Sequence, residues 1–262
     1  MTPLFDLKHI LNQYFRNYEV LPIPGGATAA CLYKIITKTK GTYILKTQPA
    51  NAASYSLCSE KQNYEWLLNK VPVPAVAFFY TTGSEELLCV SELSGKTLEA
   101  YIGELNTEEI VTRYARALKL LHSLPIDSAA QVQPLDTIIS KARFNLDNSL
   151  MDMDDLQPEN RYSTASQLFY RLLELKPSDH ELVFTHGDYS LDNIIFHEDR
   201  LSGFIDIGGG GVADKYRDIA IAVRNIQDHF DDDLVSLFCH EYGMSGLDER
   251  KMKFYRLLDE FF

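Results

Sequence analysis

Only four cysteines occur in the 262 residues, and none belongs to a C-x-x-C pair. Cys31, Cys58, Cys89 and Cys239 are widely spaced, which excludes a dense disulfide frame and a zinc-ribbon pattern and points to reduced thiols in a cytoplasmic setting. No stretch approaches the roughly 18 apolar residues that a bilayer-spanning helix needs. The start, Met1-Thr2-Pro3-Leu4-Phe5-Asp6, has no basic segment leading into an apolar one, so no secretory signal is expected. Internal repeats, low-complexity tracts and a P-loop signature are also missing. Basic charge is scarce: 25 Lys and Arg stand against 37 Asp and Glu, a formal net charge of −12. That balance disfavours nucleic acid and anionic membranes and suits cationic ligands, although a solvated acidic surface would give the same number.

What is present suffices for one large domain or two lobes, since 45% of the residues are hydrophobic. Residues 5–17 read as a short amphipathic helix. Residues 29–37 and 42–48 alternate and are rich in β-formers, with Lys38-Thr39-Lys40-Gly41 between them, the pattern of a hairpin. A helix is predicted over 54–70, stopped by Val71-Pro72-Val73-Pro74. Strands follow near 75–81 and 86–92, and the chain loosens at Ser94-Gly95-Lys96, read as a hinge.

Beyond that hinge the helical period dominates. Residues 107–123 carry Ile110, Val111, Tyr114, Leu118 and Leu121 on one face, with Thr107 as a candidate N-cap. Helices are expected at 135–150 and 164–176, short strands at 181–185, 194–197 and 201–206, and three helices at the end. A small, mostly antiparallel β lobe at 1–94 followed by a larger helical lobe at 95–262 is an α+β, bilobal layout with a ligand cleft between the lobes.

The strongest chemical signal is His186-Gly187-Asp188-Tyr189-Ser190-Leu191-Asp192-Asn193, followed by Phe204-Ile205-Asp206-Ile207-Gly208. Phosphoryl transfer to a hydroxyl needs a carboxylate to orient the nucleophile and accept its proton, and oxygen ligands to hold Mg2+ on the phosphates. The spacing of Asp188 and Asn193 matches the base and the metal-binding Asn of H-R-D-x-x-x-x-N loops, and Asp206 follows as a second oxygen ligand for the metal. The bland alternative is a turn with Asp188 as a cap and Asp206 closing a strand.

These two segments, with Ala213-Asp214-Lys215-Tyr216-Arg217-Asp218-Ile219-Ala220 and the terminal Leu257-Leu258-Asp259-Glu260-Phe261-Phe262, resemble the aminoglycoside phosphotransferases, and the 3′-phosphotransferase branch in particular. The resemblance implies a protein-kinase-like fold and an ATP- and Mg2+-dependent kinase, with GTP as an alternative donor. It implies that Lys46 of Tyr43-Ile44-Leu45-Lys46 grips the nucleotide phosphates and that Glu60 is its ion-pair partner. It places phosphate-cradling amides at Ala27 and Thr28, in a Gly25-Gly26-Ala27-Thr28 loop that lacks G-x-G-x-x-G and alone would read as a hairpin connection. By position, Ser91 and Leu93 present backbone groups to adenine.

For the acceptor, the resemblance implies a pocket for a polycationic aminoglycoside formed by Asp155, Glu159, Asp188, Arg224, Asp228, Glu260 and the Phe262 carboxylate. Read alone, Met151-Asp152-Met153-Asp154-Asp155 is an acidic loop, and Asp228 and Glu260 belong to solvated helix faces. One departure stands out. The family carries an arginine soon after the metal-ligand triplet, where this chain has Gly208-Gly209-Gly210-Gly211; a flexible segment and the loss of a cation from the cleft are expected there. Two rivals remain: a kinase of the same fold acting on another hydroxylated amine, and a nucleotide-binding pseudokinase. No partner protein is indicated.

Overall fold

The computed structural model describes residues 4–24, 30–50, 55–82, 84–129, 131–154 and 156–262. After helix α1 (Leu4–Tyr14) comes a five-stranded antiparallel sheet made of β1 (Tyr18–Ile23), β2 (Cys31–Thr37), β3 (Gly41–Pro49), β4 (Val76–Thr81) and β5 (Glu85–Ser91), in the order β1-β2-β3-β5-β4. The hairpin expected at 38–41 joins β2 to β3, with Thr37 opposite Gly41. Sequence reading missed β1, whose residues Tyr18-Glu19-Val20-Leu21-Pro22-Ile23 include a proline that marks an edge.

The sheet is covered on two sides because its strands alternate. Ile35, Leu45, Phe78, Leu87 and Cys89 pack with Leu7, Ile10, Leu11 and Phe15 from α1 and the residues just after it. The other face receives α2 (Leu57–Leu67), shorter than the predicted 54–70. Its start is set by Ser56, whose hydroxyl accepts the Cys58 N–H, and by Glu86 from β5, which accepts the Leu57 N–H at 2.8 Å.

The rest of the chain is mainly helical: α3 (Thr107–His122), α4 (Leu135–Asp147), α5 (Ala165–Leu175), α6 (Tyr216–His229), α7 (Leu234–Tyr242) and α8 (Glu249–Asp259). Asn106, one residue before the expected Thr107, caps α3, and a Thr164/Gln167 capping box starts α5. Two small sheets are set among these helices. One pairs β6 (Lys96–Thr97), β8 (Ile194–His197) and β9 (Arg200–Phe204); the other pairs β7 (Leu182–Thr185) with β10 (Gly211–Asp214). A continuous core runs from α2 through α3 and α6 to α8, and Trp66 of α2 stacks on Phe184 of β7 with ring centroids 4.6 Å apart.

Two local expectations are corrected. The segment read as a loose hinge is tightly held: Lys96 and Thr97 pair with Phe196 and Ile195. Gly95 sits at φ 110°, where a Cβ would come within 2.0 Å of the Phe196 carbonyl oxygen. The glycine run is also packed rather than flexible. Gly208 to Gly211 are buried, and Asn63 Nδ2 donates to the carbonyls of Ile207 (2.8 Å) and Gly210 (3.1 Å). A Cβ on Gly209 would lie 2.8 Å from the Tyr55 ring. Glycine is used there because another chain segment fills the side-chain space.

Gly95→Ala is expected to lower stability by about 3 kcal/mol, from positive φ and the clash with Phe196 together. Gly103→Ala, with φ 84° but nothing within 4 Å of the added Cβ, should cost only about 1 kcal/mol. Urea unfolding midpoints of the two variants check the contrast.

Candidate active site

The loop from His186 to Asn193 connects β7 to β8 and runs through the protein interior, where its backbone has no sheet partner for much of its length. Its polar groups are met by side chains instead. Asp218, fully buried near the start of α6, accepts the N–H of His186 at 2.6 Å and of Gly187 at 2.9 Å. His122 Nε2 lies 2.9 Å from the same carboxylate, and His122 Nδ1 lies 2.8 Å from the Tyr242 hydroxyl. Burial opposes the charge on Asp218, but the His122 contact and the two amides hold its carboxyl below the usual range. The His186 ring is buried against Tyr189 and Phe204, and burial lowers its pKa, which favours a neutral imidazole.

Gly187 turns the chain at φ 87°, and its missing Cβ would meet the Gly209 carbonyl at 2.3 Å. The loop therefore lies backbone against backbone on the glycine run. Asp188 follows, with Asn193 Nδ2 donating to its carbonyl at 2.9 Å and to its Oδ2 at 3.0 Å. Burial chiefly, then the charges of Asp259 and Asp206, push Asp188 up to about 6 against the Asn193 bond and Arg224. A carboxylate poised in this way is a better proton acceptor than a free surface aspartate.

Asp206 lies two residues beyond the end of β9 at φ 56°, a left-handed conformation that non-glycine residues seldom adopt. Lys46 of β3 holds it, with Nζ 2.8 Å from Asp206 Oδ1 and 2.7 Å from Glu60 Oε1. Burial would lower the Lys46 pKa, but Glu60 and Asp206 outweigh it and keep the ammonium protonated. Burial pushes Glu60 up against the pull of Lys46. Burial likewise opposes the charge on Asp206, but Lys46 draws its carboxyl below the ordinary value. Tyr64, one helical turn after Glu60, donates to Glu60 Oε1 at 2.9 Å and accepts the Asp206 N–H at 3.1 Å. Asp206 and Asn193 supply hard oxygen donors beside the Asp188 carboxylate, a donor set that suits Mg2+. Among the described residues there is no cluster of three or more His, Cys, Asp or Glu side chains able to hold a metal by themselves.

A second group gathers at the ends of α6 and α8. Arg224 pairs with Asp259 at 2.5 Å, and Asp228 and Glu260 also act on the Arg224 charge. Glu260 accepts from Asn160 Nδ2 at 2.8 Å and from the Gln157 N–H at 3.2 Å, so it also braces the loop before α5. Glu159 is exposed in that loop and lies near enough to influence Arg256. The Phe262 ring stacks with Tyr55 at 6.3 Å.

Of the residues singled out in the sequence, Lys46, Glu60 and Asp206 meet directly, and Asp188 meets Asn193. Arg224, Asp228 and Glu260 lie together on the α6/α8 side. Ser91 and Leu93 sit apart at the end of β5, where the Ser91 N–H donates to Ala75 O at 2.8 Å. Ala27, Thr28 and Asp155 fall outside the described residues. Sequence reasoning missed Asp218, His122, Tyr64, Asn63 and Asp259. A signal existed for Asp218, an acid just before the apolar stretch Ile219-Ala220-Ile221-Ala222-Val223, and for Tyr64 at i+4 from Glu60.

Comparison with known proteins gives a consistent result. The model of the phosphotransferase enzyme family matches residues 19–255. An aminoglycoside 3′-phosphotransferase of Niallia circulans is 38% identical over 208 residues, 79% of each chain. One from Enterococcus faecalis is 32% identical over 257 residues, covering 96% of this chain and 97% of that one. Among solved structures, an aminoglycoside 3′-phosphotransferase of type VIII superposes with a TM-score of 0.84 at 24% identity, covering 98% of both chains. An aminoglycoside phosphotransferase from Streptomyces rimosus, solved with ADP and streptomycin, gives 0.80 at 24% identity over 100% of this chain and 99% of its own.

Asp218→Ala leaves two buried amides and His122 without their acceptor, and is expected to lower stability by at least about 3 kcal/mol. The native carboxyl is held below its unfolded value, so this stabilisation is complete above roughly pH 4 and is lost as the pH falls further. Thermal unfolding of wild type and variant between pH 3 and pH 7 should show the difference shrinking toward the acid end.

Proposed function

The chain belongs to the phosphotransferase enzyme family, and from that premise we propose that it transfers the γ-phosphoryl group of ATP to the 3′-hydroxyl of an aminoglycoside antibiotic. The observation that carries the reading is the meeting of three distant segments. The strand lysine Lys46, with its helix partner Glu60, grips Asp206 beside the hydrogen-bonded Asp188–Asn193 pair. A pseudokinase has no need to preserve all five.

In this reading Asp188 orients the acceptor hydroxyl and takes its proton, a role worth typically about 10²–10⁴ in rate. Its bond to Asn193 holds the carboxylate in one orientation, so little rearrangement is needed when the hydroxyl arrives. Lys46 contacts the nucleotide phosphates, and Glu60, fixed by Tyr64, keeps the ammonium in place. Asn193 and Asp206 would hold Mg2+, which neutralises charge on the transferring phosphates. The segment up to residue 94 serves the nucleotide, with Ala27, Thr28, Ser91 and Leu93 contributing backbone contacts; residues 95–262 carry the catalytic loop and the acceptor pocket. GTP is an alternative donor that a competition measurement decides.

The acceptor is a polycation, and the chain meets it with acid. Asp155, Glu159, Asp228, Glu260 and the Phe262 carboxylate receive its ammonium groups, and Arg224 keeps Asp259 and its neighbours in register. The net charge of −12 adds a long-range attraction. In this reading the enzyme confers resistance in the cytoplasm, where a drug bearing the added phosphate would be formed.

A coupled ATPase assay with kanamycin- and neomycin-type drugs is expected to show turnover, with the 3′-phosphate as product. Turnover of another hydroxylated amine and of no aminoglycoside would instead establish the first rival. Asp188→Ala should cut kcat by about 10²–10⁴ while nucleotide affinity stays within a few fold; a variant retaining a third of wild-type turnover removes Asp188 from the role of base. Glu260→Gln should weaken aminoglycoside binding by about tenfold at low salt, given roughly 1.5–3 kcal/mol for a charge-assisted contact, and leave ATP binding unchanged. Calorimetry with each ligand separates the two effects.

A further inference from the structure

The catalytic loop is held at its first half by Asp218, which accepts the N–H groups of His186 and Gly187. At its far end Asn225 Oδ1 accepts the Leu191 N–H at 3.0 Å. Between these anchors lies Asp188 with Tyr189, and a different device secures that stretch. The Tyr114 hydroxyl, from the middle of α3, donates to the Tyr189 carbonyl at 2.5 Å, and the Tyr189 hydroxyl donates to the Tyr114 carbonyl at 2.7 Å. The two rings are stacked, with centroids 4.8 Å apart and planes 13° from parallel. Each residue thus closes a hydrogen bond on the other's main chain, and the stacked rings fill the space between.

We propose that Tyr114 and Tyr189 act as one reciprocal positioning pair that fixes the main chain next to Asp188, and so sets the aim of its carboxylate for phosphoryl transfer. The inference rests on the kinase reading given above. Both side chains are fully buried, so no water competes for either hydroxyl, and a reciprocal pair of bonds restrains rotation of the loop as well as its separation from α3. Burial also raises both phenols well above their ordinary range, which keeps each a donor at any working pH. The surroundings leave the rings little room to move: Phe238 packs on Tyr114 at 5.9 Å, and His186 and Phe204 pack on Tyr189 at 5.9 and 6.5 Å. The bond from Tyr189 lands on a helix carbonyl that already has its own i+4 donor within α3. That second bond is not needed to build the helix, so its effect is on the loop. The residue before Tyr189 is the base, and a small displacement of a reacting group costs far more in rate than in binding.

Neither tyrosine touches substrate in this scheme, so the test must separate positioning from plain stability. Tyr114→Phe, Tyr189→Phe and the double variant are compared with Ile35→Val, which loosens the separate core between α1 and the five-stranded sheet. The readouts are kcat and KM with ATP and whichever aminoglycoside wild type turns over fastest, together with hydrogen exchange of the Gly187–Ser190 amides. Each Phe variant is expected to lose about tenfold in kcat with both KM values within about twofold. The double variant should be no more than about twofold slower than the slower single, because both lesions open one clamp. Amide exchange in the loop should quicken in all three Phe variants, whereas Ile35→Val lowers the melting temperature with kcat and loop exchange unchanged. Folded Phe variants that keep kcat within twofold of wild type would overturn the proposal, as would single losses that multiply to about a hundredfold in the double variant. If Tyr114→Phe fails to fold, Tyr189→Phe decides alone, since the Tyr114 carbonyl keeps its helical donor. Should wild type show no phosphoryl transfer, the kinase reading fails, and unchanged loop exchange in the Phe variants would then overturn the pairing by itself.

Discussion

The double ion pair of Lys46 with Glu60 and Asp206 is the contact on which the rest of the site depends. A strand of the five-stranded sheet, the helix behind it and the segment after β9 are joined through one buried ammonium. Lysine is costly to bury unpaired, and two carboxylates in one site repel each other. Lys46 makes the buried Glu60 carboxylate acceptable there and screens it from Asp206. Tyr64 adds a neutral bridge between Glu60 and the Asp206 amide, so the strained φ of Asp206 is held from both its side chain and its backbone. Removing Lys46 would leave the buried Glu60 carboxylate without its cation and facing Asp206.

Around this centre, irregular backbone takes the place that regular structure usually occupies in a protein core. The segments 186–193 and 206–211 are partly buried and complete only some of their hydrogen bonds within themselves, as at Ser190, Asn193 and Gly210. Side chains from α2, α3 and α6 supply the partners: Asn63 donates to two carbonyls of the glycine run, Asp218 accepts two amides of the catalytic loop, and Tyr114 donates to the carbonyl after Asp188. The glycines allow the two segments to touch. At Gly187 a side chain would strike the Gly209 carbonyl, and at Gly209 it would strike Tyr55. Where the sequence reading expected a flexible run, the structure has close packing. Arg217 donates to the Tyr55 hydroxyl at 2.7 Å, which puts a guanidinium behind the ring that lies over Gly209.

Much of this was legible in the chain itself. Apolar spacing located α3 to within a residue, and the hairpin of β2 and β3 followed from alternation and a turn-forming linker. The order and spacing of Asp188, Asn193 and Asp206 marked a phosphoryl-transfer site because few other chemistries require a carboxylate and two oxygen ligands in that order. The short strand β10 was hidden by its glycine, and β1 by its proline, since both residues normally argue against a strand. Ser94-Gly95-Lys96 looked loose for a related reason: glycine at a crowded crossing and glycine in a flexible linker are the same letter.

By itself the sequence determined the fold class, the main helices and the β2–β3 hairpin, because these follow from periodicity, capping and turn chemistry over short separations. Only the tertiary structure decided which distant groups share a site. Lys46 reaches Asp206 across 160 positions and Tyr114 reaches Tyr189 across 75, and no local pattern encodes such pairs. They arise when burial removes water as a partner and each polar group must find another within about 3 Å. The same constraint explains why Asp218 and His122, ordinary helix residues in the sequence, emerge as supports of the catalytic loop.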